Sequence, residues 1–149
     1  MEIDQVRKIL QSGQKEEKIT TLESLSDTTN PKIIGEIIGL FDDADIELRG
    51  EAFSTLLLNE NDISDILLAN LDNQSKNVRG YCALVLANRN DKKAIPKIIQ
   101  LTRDESAMVR SCAVGALGFL RAIEATNAIQ NCIDDPNIEV KKKRNQVSN

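Results

Sequence analysis

Arg103-Asp104-Glu105-Ser106-Ala107-Met108-Val109-Arg110-Ser111-Cys112-Ala113-Val114-Gly115-Ala116-Leu117-Gly118 is a polar turn running into a helical pattern, and its key positions recur every 30 or 31 residues. With Val109-Arg110 as anchor, Leu48-Arg49, Val78-Arg79 and Val140-Lys141 fall in phase, and a fainter Glu17-Lys18 stands 31 residues before the first. Eleven residues upstream of each anchor are Val6, Ile37, Leu67, Ile98 and Ile129, apolar in all five copies. Five upstream are Ser12, Asp43, Asn73, Asp104 and Asp135, each a turn or cap residue. Eight downstream are Leu25, Leu56, Leu86 and Leu117. Several columns held in phase along a whole chain mark a repeat array.

Each copy reads as two helices. In residues 93–121, Ile95, Ile98, Ile99 and Leu101 form an apolar stripe of helical spacing, with Pro96 in the first turn where a missing amide costs nothing. The turn at Arg103–Ser106 supplies capping oxygens. Met108, Val109, Cys112, Ala113, Ala116, Leu117 and Leu120 then form the stripe of a longer second helix. A helix of about ten residues is marginal alone in water, so the pairs must stack to close a core.

The expected fold is therefore all-α: an α-α superhelix, a right-handed solenoid of about five helix pairs. Its repeats lie near 2–28, 31–59, 62–90, 93–121 and 124–149, within one domain of 149 residues. Polar end repeats are expected to keep such a stack from polymerising.

Composition narrows the function. Hydrophobic residues make up 41% and aromatics only 3%, so the core is aliphatic. Histidine is absent, which removes the commonest general base and the commonest transition-metal ligand. Cys82, Cys112 and Cys132 are odd in number and widely spaced, which fits reduced thiols and a cytoplasmic location. The net charge is −4, and residues 140–149 carry Lys141, Lys142, Lys143 and Arg144 with no acid, so the remainder reads as an acidic body. That balance disfavours nucleic acid. No apolar run is long enough for a membrane span, and the N-terminus lacks a signal-peptide pattern. No cofactor or metal site is expected, and the chain reads as a monomer.

The run Asp104-x5-Arg110, with Val109 before the arginine and Ala113, Val114, Leu117 and Gly118 after it, resembles the short HEAT-like repeat of the phycobilisome-lyase type. Asp43-x5-Arg49 repeats the pair, while Asn73-x5-Arg79 and Asp135-x5-Lys141 are conservative departures. The resemblance covers about residues 2–145 and has a shorter period than the usual 40–47 residues of HEAT repeats. It implies a structural ladder in which turn acids meet second-helix arginines, within or between repeats. It also implies an alternative function, a bilin-lyase-like component holding a tetrapyrrole and a partner protein. The iron-binding hydroxylases of similar fold use His-Glu pairs, which this chain cannot form.

The first functional reading is a non-catalytic scaffold that binds a protein or peptide on the concave face of its second helices. A helical wheel centred between each anchor and the position eight later puts Glu51, Thr55, Leu58, Tyr81, Leu84, Val85, Cys112 and Phe119 on or beside that face. Gly50, Gly80 and Gly115 fall on the same side, where they either relieve helix crowding or leave room for a partner.

Overall fold

The computed structural model describes residues 1–147. Every α-helix is short, and they alternate as first and second members of five pairs: α1 (Ile3–Ser12) and α2 (Lys15–Glu23), α3 (Pro31–Gly39) and α4 (Ile46–Leu58), α5 (Ser64–Ala69) and α6 (Lys76–Asn88), α7 (Ile95–Leu101) and α8 (Ala107–Phe119), α9 (Thr126–Asn131) and α10 (Ile138–Val147). No strand occurs among the described residues.

Local chemistry sets the helix ends. Asn30 caps α3 by accepting from the amides of Lys32 and Ile33, at 2.9 and 3.3 Å, and Pro31 fills the first position. Asp45 caps α4 in the same way, through Glu47 and Leu48 at 2.8 and 3.3 Å. Ser75 and Ser106 cap α6 and α8. The first helices are less regular than the apolar pattern predicts. Residues 40–42, 70–72 and 132–134 tighten into 3-10 turns, and residues 92–94 and 123–125 lead into α7 and α9 in the same form. Such turns reuse carbonyls that a short helix would leave without partners.

The chain forms two compact units, Met1–Ile66 and Leu67–Asn149. In the first, α1 packs on α2 and α3, and α4 packs on α2 and α3. Its core is aliphatic around one ring: Val6, Leu10, Leu22, Ile34, Ile37, Ile38, Phe41, Leu48 and Leu56 are buried. In the second, α8 packs against α6, α7 and α10. Leu67, Leu71, Val78, Leu86, Ile98, Val109, Val114 and Leu117 are buried there, and Cys132 and Val140 close its end against Val114.

Two second helices of the later unit end in the same backbone motif. After α6, the Asn90 amide bonds Ala87 O and the Asp91 amide bonds Leu86 O, both at 2.9 Å. After α8, the Arg121 and Ala122 amides do the same with Gly118 O and Leu117 O, both at 3.1 Å. This is the Schellman closure, which needs a left-handed residue. Asn90 and Arg121 supply it with φ of 57° and 53°. Asparagine tolerates that region, whereas an arginine is strained there. Arg121→Gly is therefore expected to stabilise the protein by about 0.5–1 kcal/mol. A melting temperature unchanged or lowered by this exposed-site substitution would contradict that reading.

Candidate functional site

The charged columns form rungs that join neighbouring repeats. The Arg79 guanidinium donates Nη1 to Asn73 O and Gln74 O of its own turn, at 2.9 and 3.0 Å. Its Nε and Nη2 grip both carboxylate oxygens of Asp104 in the following turn, each at 2.9 Å. Arg110 repeats the arrangement, with Nη1 on Asp104 O at 2.9 Å and a two-point contact to Asp135 at 2.8 and 3.1 Å. Each turn residue is itself held by the amide two positions on: Asp43 by Asp45, Asn73 by Ser75, Asp104 by Ser106 and Asp135 by Asn137, at 2.8–2.9 Å. In the first unit Lys18 takes the arginine's part and reaches Asp43 at 3.6 Å. Arg49 bonds its own turn through Asp43 O at 2.8 Å, and its buried Nε has no hydrogen-bond partner among the described residues. Lys141, the last member of the column, is exposed.

Hydrogen bonding to Asp104 and Asp135 raises the already high pKa values of Arg79 and Arg110. Burial works to raise the Asp135 carboxyl, but the Arg110 hydrogen bonds, the Asn137 amide and the charges of Arg110 and Lys141 outweigh it and leave the pKa below its ordinary value. These groups are mutually satisfied, which makes the rung a structural joint.

The structure separates the second-helix candidates into two sets. Leu58 and Phe119 are exposed, at 68% and 61%. Glu51, Tyr81, Leu84 and Cys112 are half-buried. Thr55 and Val85 are corrections, since both are buried. Each lies seven residues past its anchor, Leu48 or Val78, and seven residues are nearly two full helical turns. They therefore return to the core side. Thr55 has a use there, donating its hydroxyl to Leu22 O at 3.2 Å and tying α4 to α2. Asn59 adds a second tie through its side-chain amide to Thr28 O at 2.8 Å. Neither Thr55 nor Asn59 stands in a column that hydropathy would single out.

Two of the three glycines leave room for a neighbouring helix, not for a partner. A methyl at Gly80 would meet Met108 Sδ at 2.9 Å and Cys112 Sγ at 3.2 Å, both on α8. A methyl at Gly115 would meet the Lys143 stem of α10 at 3.3 Å. Only Gly50 of the three faces open space.

The terminal basic run is partly engaged. Lys143 lies along α8, Arg144 bonds Gln130 and Asn145, and Lys142 pairs with Glu139 at 3.7 Å, leaving Lys141 outward. The acidic body also resolves differently. Residues 1–66 hold six of the 19 Lys and Arg and 15 of the 23 Asp and Glu, a net −9. Residues 67–149 hold 13 and 8, a net +5.

The cysteines are all free thiols. Burial pushes Cys82 up to about 12 and Cys112 up to about 11, the latter against the opposing charge of Lys143. Neither is a thiolate nucleophile at neutral pH. Among the described residues no group of three or more His, Cys, Asp or Glu could hold a metal ion, and no helix is long and apolar enough to cross a membrane.

A family model of HEAT repeats matches residues 64–146. Among solved structures the chain resembles a designed armadillo repeat protein, YIII(Dq.V1)4CPAF, in complex with the peptide (KR)4. The two share 19% identity over 96% of this chain and 79% of that one, with a TM-score of 0.53. It also resembles an engineered protein at 17% identity, over 99% of this chain and 78% of that one, with a TM-score of 0.54. No match was found among curated proteins. Identity at this level shows shared fold alone, and that fold is the all-α helical-repeat array. With more than half its length matched, the chain belongs to the HEAT repeat family.

Proposed function

We propose that the protein is a non-catalytic scaffold that binds a protein or peptide on the outward face of its second helices. The observation that carries this reading is the contrast between rungs and wall. The arginines and turn acids of the later unit are held in closed joints, while large apolar side chains stand exposed on the second helices. Phe119 on α8 is the clearest, with Leu84 and Tyr81 half-buried on α6 of the same unit. Leu58 takes the corresponding place on α4. Exposed aromatic and aliphatic groups of this kind serve as binding anchors when a partner desolvates them. The designed armadillo repeat protein of similar fold is a precedent, as a helical array in complex with a peptide.

The test begins with a random peptide library panned against the full chain. Binders are then titrated against Phe119→Ala and Leu58→Ala variants whose helicity matches wild type. Truncating a true anchor is expected to cost about 1–3 kcal/mol of binding, about five- to 150-fold in affinity. Binders that ignore both substitutions, or a library that yields none, would overturn the proposal.

A further inference from the structure

The charge division between the units has a local expression on α2 and α4. These two helices pack side by side, and their outward faces carry Glu16, Thr20 and Glu23 on one and Glu47, Gly50, Glu51, Ser54, Leu57 and Leu58 on the other. The three cations on these helices are engaged at the turn. Lys15 bridges Asp45 and Glu47 at 2.9 and 3.0 Å, Lys18 meets Asp43, and Arg49 bonds Asp43 O. Among the described residues, no Lys or Arg pairs with Glu16, Glu23 or Glu51. The far end of the face is apolar, where Leu57 and Leu58 are 37% and 68% exposed. Gly50 between them and Glu47 has open space above it, so a chain can lie close to the helix.

Resting on the scaffold reading, we propose that this α2–α4 face takes a basic, extended segment of a partner protein. Its Lys or Arg side chains sit against Glu16, Glu23 and Glu51, and an aliphatic or aromatic side chain sits against Leu57 and Leu58. Charge complementarity selects the segment: a face within a unit of net −9 repels acidic chains and attracts basic ones. Spacing narrows it further. Glu51 and Leu58 are seven residues apart on one helix, about 10 Å, which is about three residues of extended chain. The apolar contact separates this from diffuse attraction, because its share of binding is not screened by salt.

The experiment uses fluorescence anisotropy with the full chain and a labelled Lys-Lys-Ser-Lys-Lys-Leu-Leu peptide, beside the same peptide with Glu for Lys. The basic peptide should bind and the acidic one should not. Binding should weaken between 50 and 300 mM salt without vanishing. The E23K/E51K double variant should lose tenfold or more in affinity and Leu58→Ala several-fold, both with native helicity. Lys92→Ala, at an exposed site in the other unit, should change nothing. Equal binding of both peptides, no binding of the basic one, or unchanged affinity in E23K/E51K would overturn the proposal. So would sedimentation showing a salt-sensitive dimer that E23K/E51K abolishes, since a second copy would then occupy the face. If library binders still depend on Phe119 while the basic peptide fails, the scaffold reading stands and this assignment falls.

Discussion

Leu86→Ala and Leu117→Ala are each expected to lower stability by about 2–5 kcal/mol, the range for emptying a packed leucine site. Both side chains are fully buried, Leu86 in α6 and Leu117 in α8. Each also lies in the last turns of its helix, where its carbonyl closes the Schellman motif with Asp91 or Ala122. For a chain of this size the loss corresponds to a fall in melting temperature on the order of 5–15 °C. Urea unfolding of the two variants beside Leu57→Ala, at a more exposed site, measures it. A loss under about 1 kcal/mol at either leucine would mean that the column does not lie between packed helices.

The second large effect concerns the rung. Arg79 is only 9% exposed and makes four hydrogen bonds, two to Asp104 and two to the carbonyls of its own turn. Arg79→Ala removes all four and leaves a shielded carboxylate without its cation. Breaking a fully buried pair costs about 3–5 kcal/mol. Asp104 keeps some contact with solvent, so a loss of about 2–3 kcal/mol is expected here, against about 0.5 or less for Lys92→Ala at the surface. Equal melts for the two variants would contradict the rung.

Its companion, Asp135, sets a pH dependence. The Asp135 carboxyl is held below its ordinary pKa in the fold, so its contribution is present above the ordinary carboxylate range and is lost as pH falls through the lowered folded value. Asp135→Asn should flatten the acid limb of the stability profile below about pH 4. An acid limb as steep as that of wild type would remove Asp135 from the account.

The repeat was legible because stacking imposes the same burial at the same place in each copy. Leu86 and Leu117 could be placed from spacing alone, and so could the Asp and Arg columns. The direction of the rung was less accessible. Asp104 faces Arg79 of the preceding repeat, 25 positions away, while Arg110 meets only its backbone carbonyl. That choice depends on the offset between stacked helices, which no single repeat encodes. Thr55 and Val85 were misplaced because a face drawn from the anchor and its eighth successor omits the seventh, which points almost the same way. Gly80 and Gly115 lie outward on their own helices and become interior only when α8 and α10 are laid against them. The 3-10 turns at 40–42, 70–72 and 132–134 each end in an apolar residue and an aspartate, Phe41-Asp42, Leu71-Asp72 and Ile133-Asp134, a pair that lies outside the columns used to read the repeat.

The rungs and the proposed binding face divide the labour: the rungs hold the array and the outward second-helix face takes the partner. A paired measurement of melting temperature and affinity for one library-derived peptide, on Arg79→Ala and Phe119→Ala, tests it directly. Arg79→Ala is expected to melt earlier and, below its transition, to bind as wild type does. Phe119→Ala should melt as wild type does and bind about tenfold or more weakly. The reverse pattern, with folded Arg79→Ala losing the peptide and Phe119→Ala keeping it, would contradict the account.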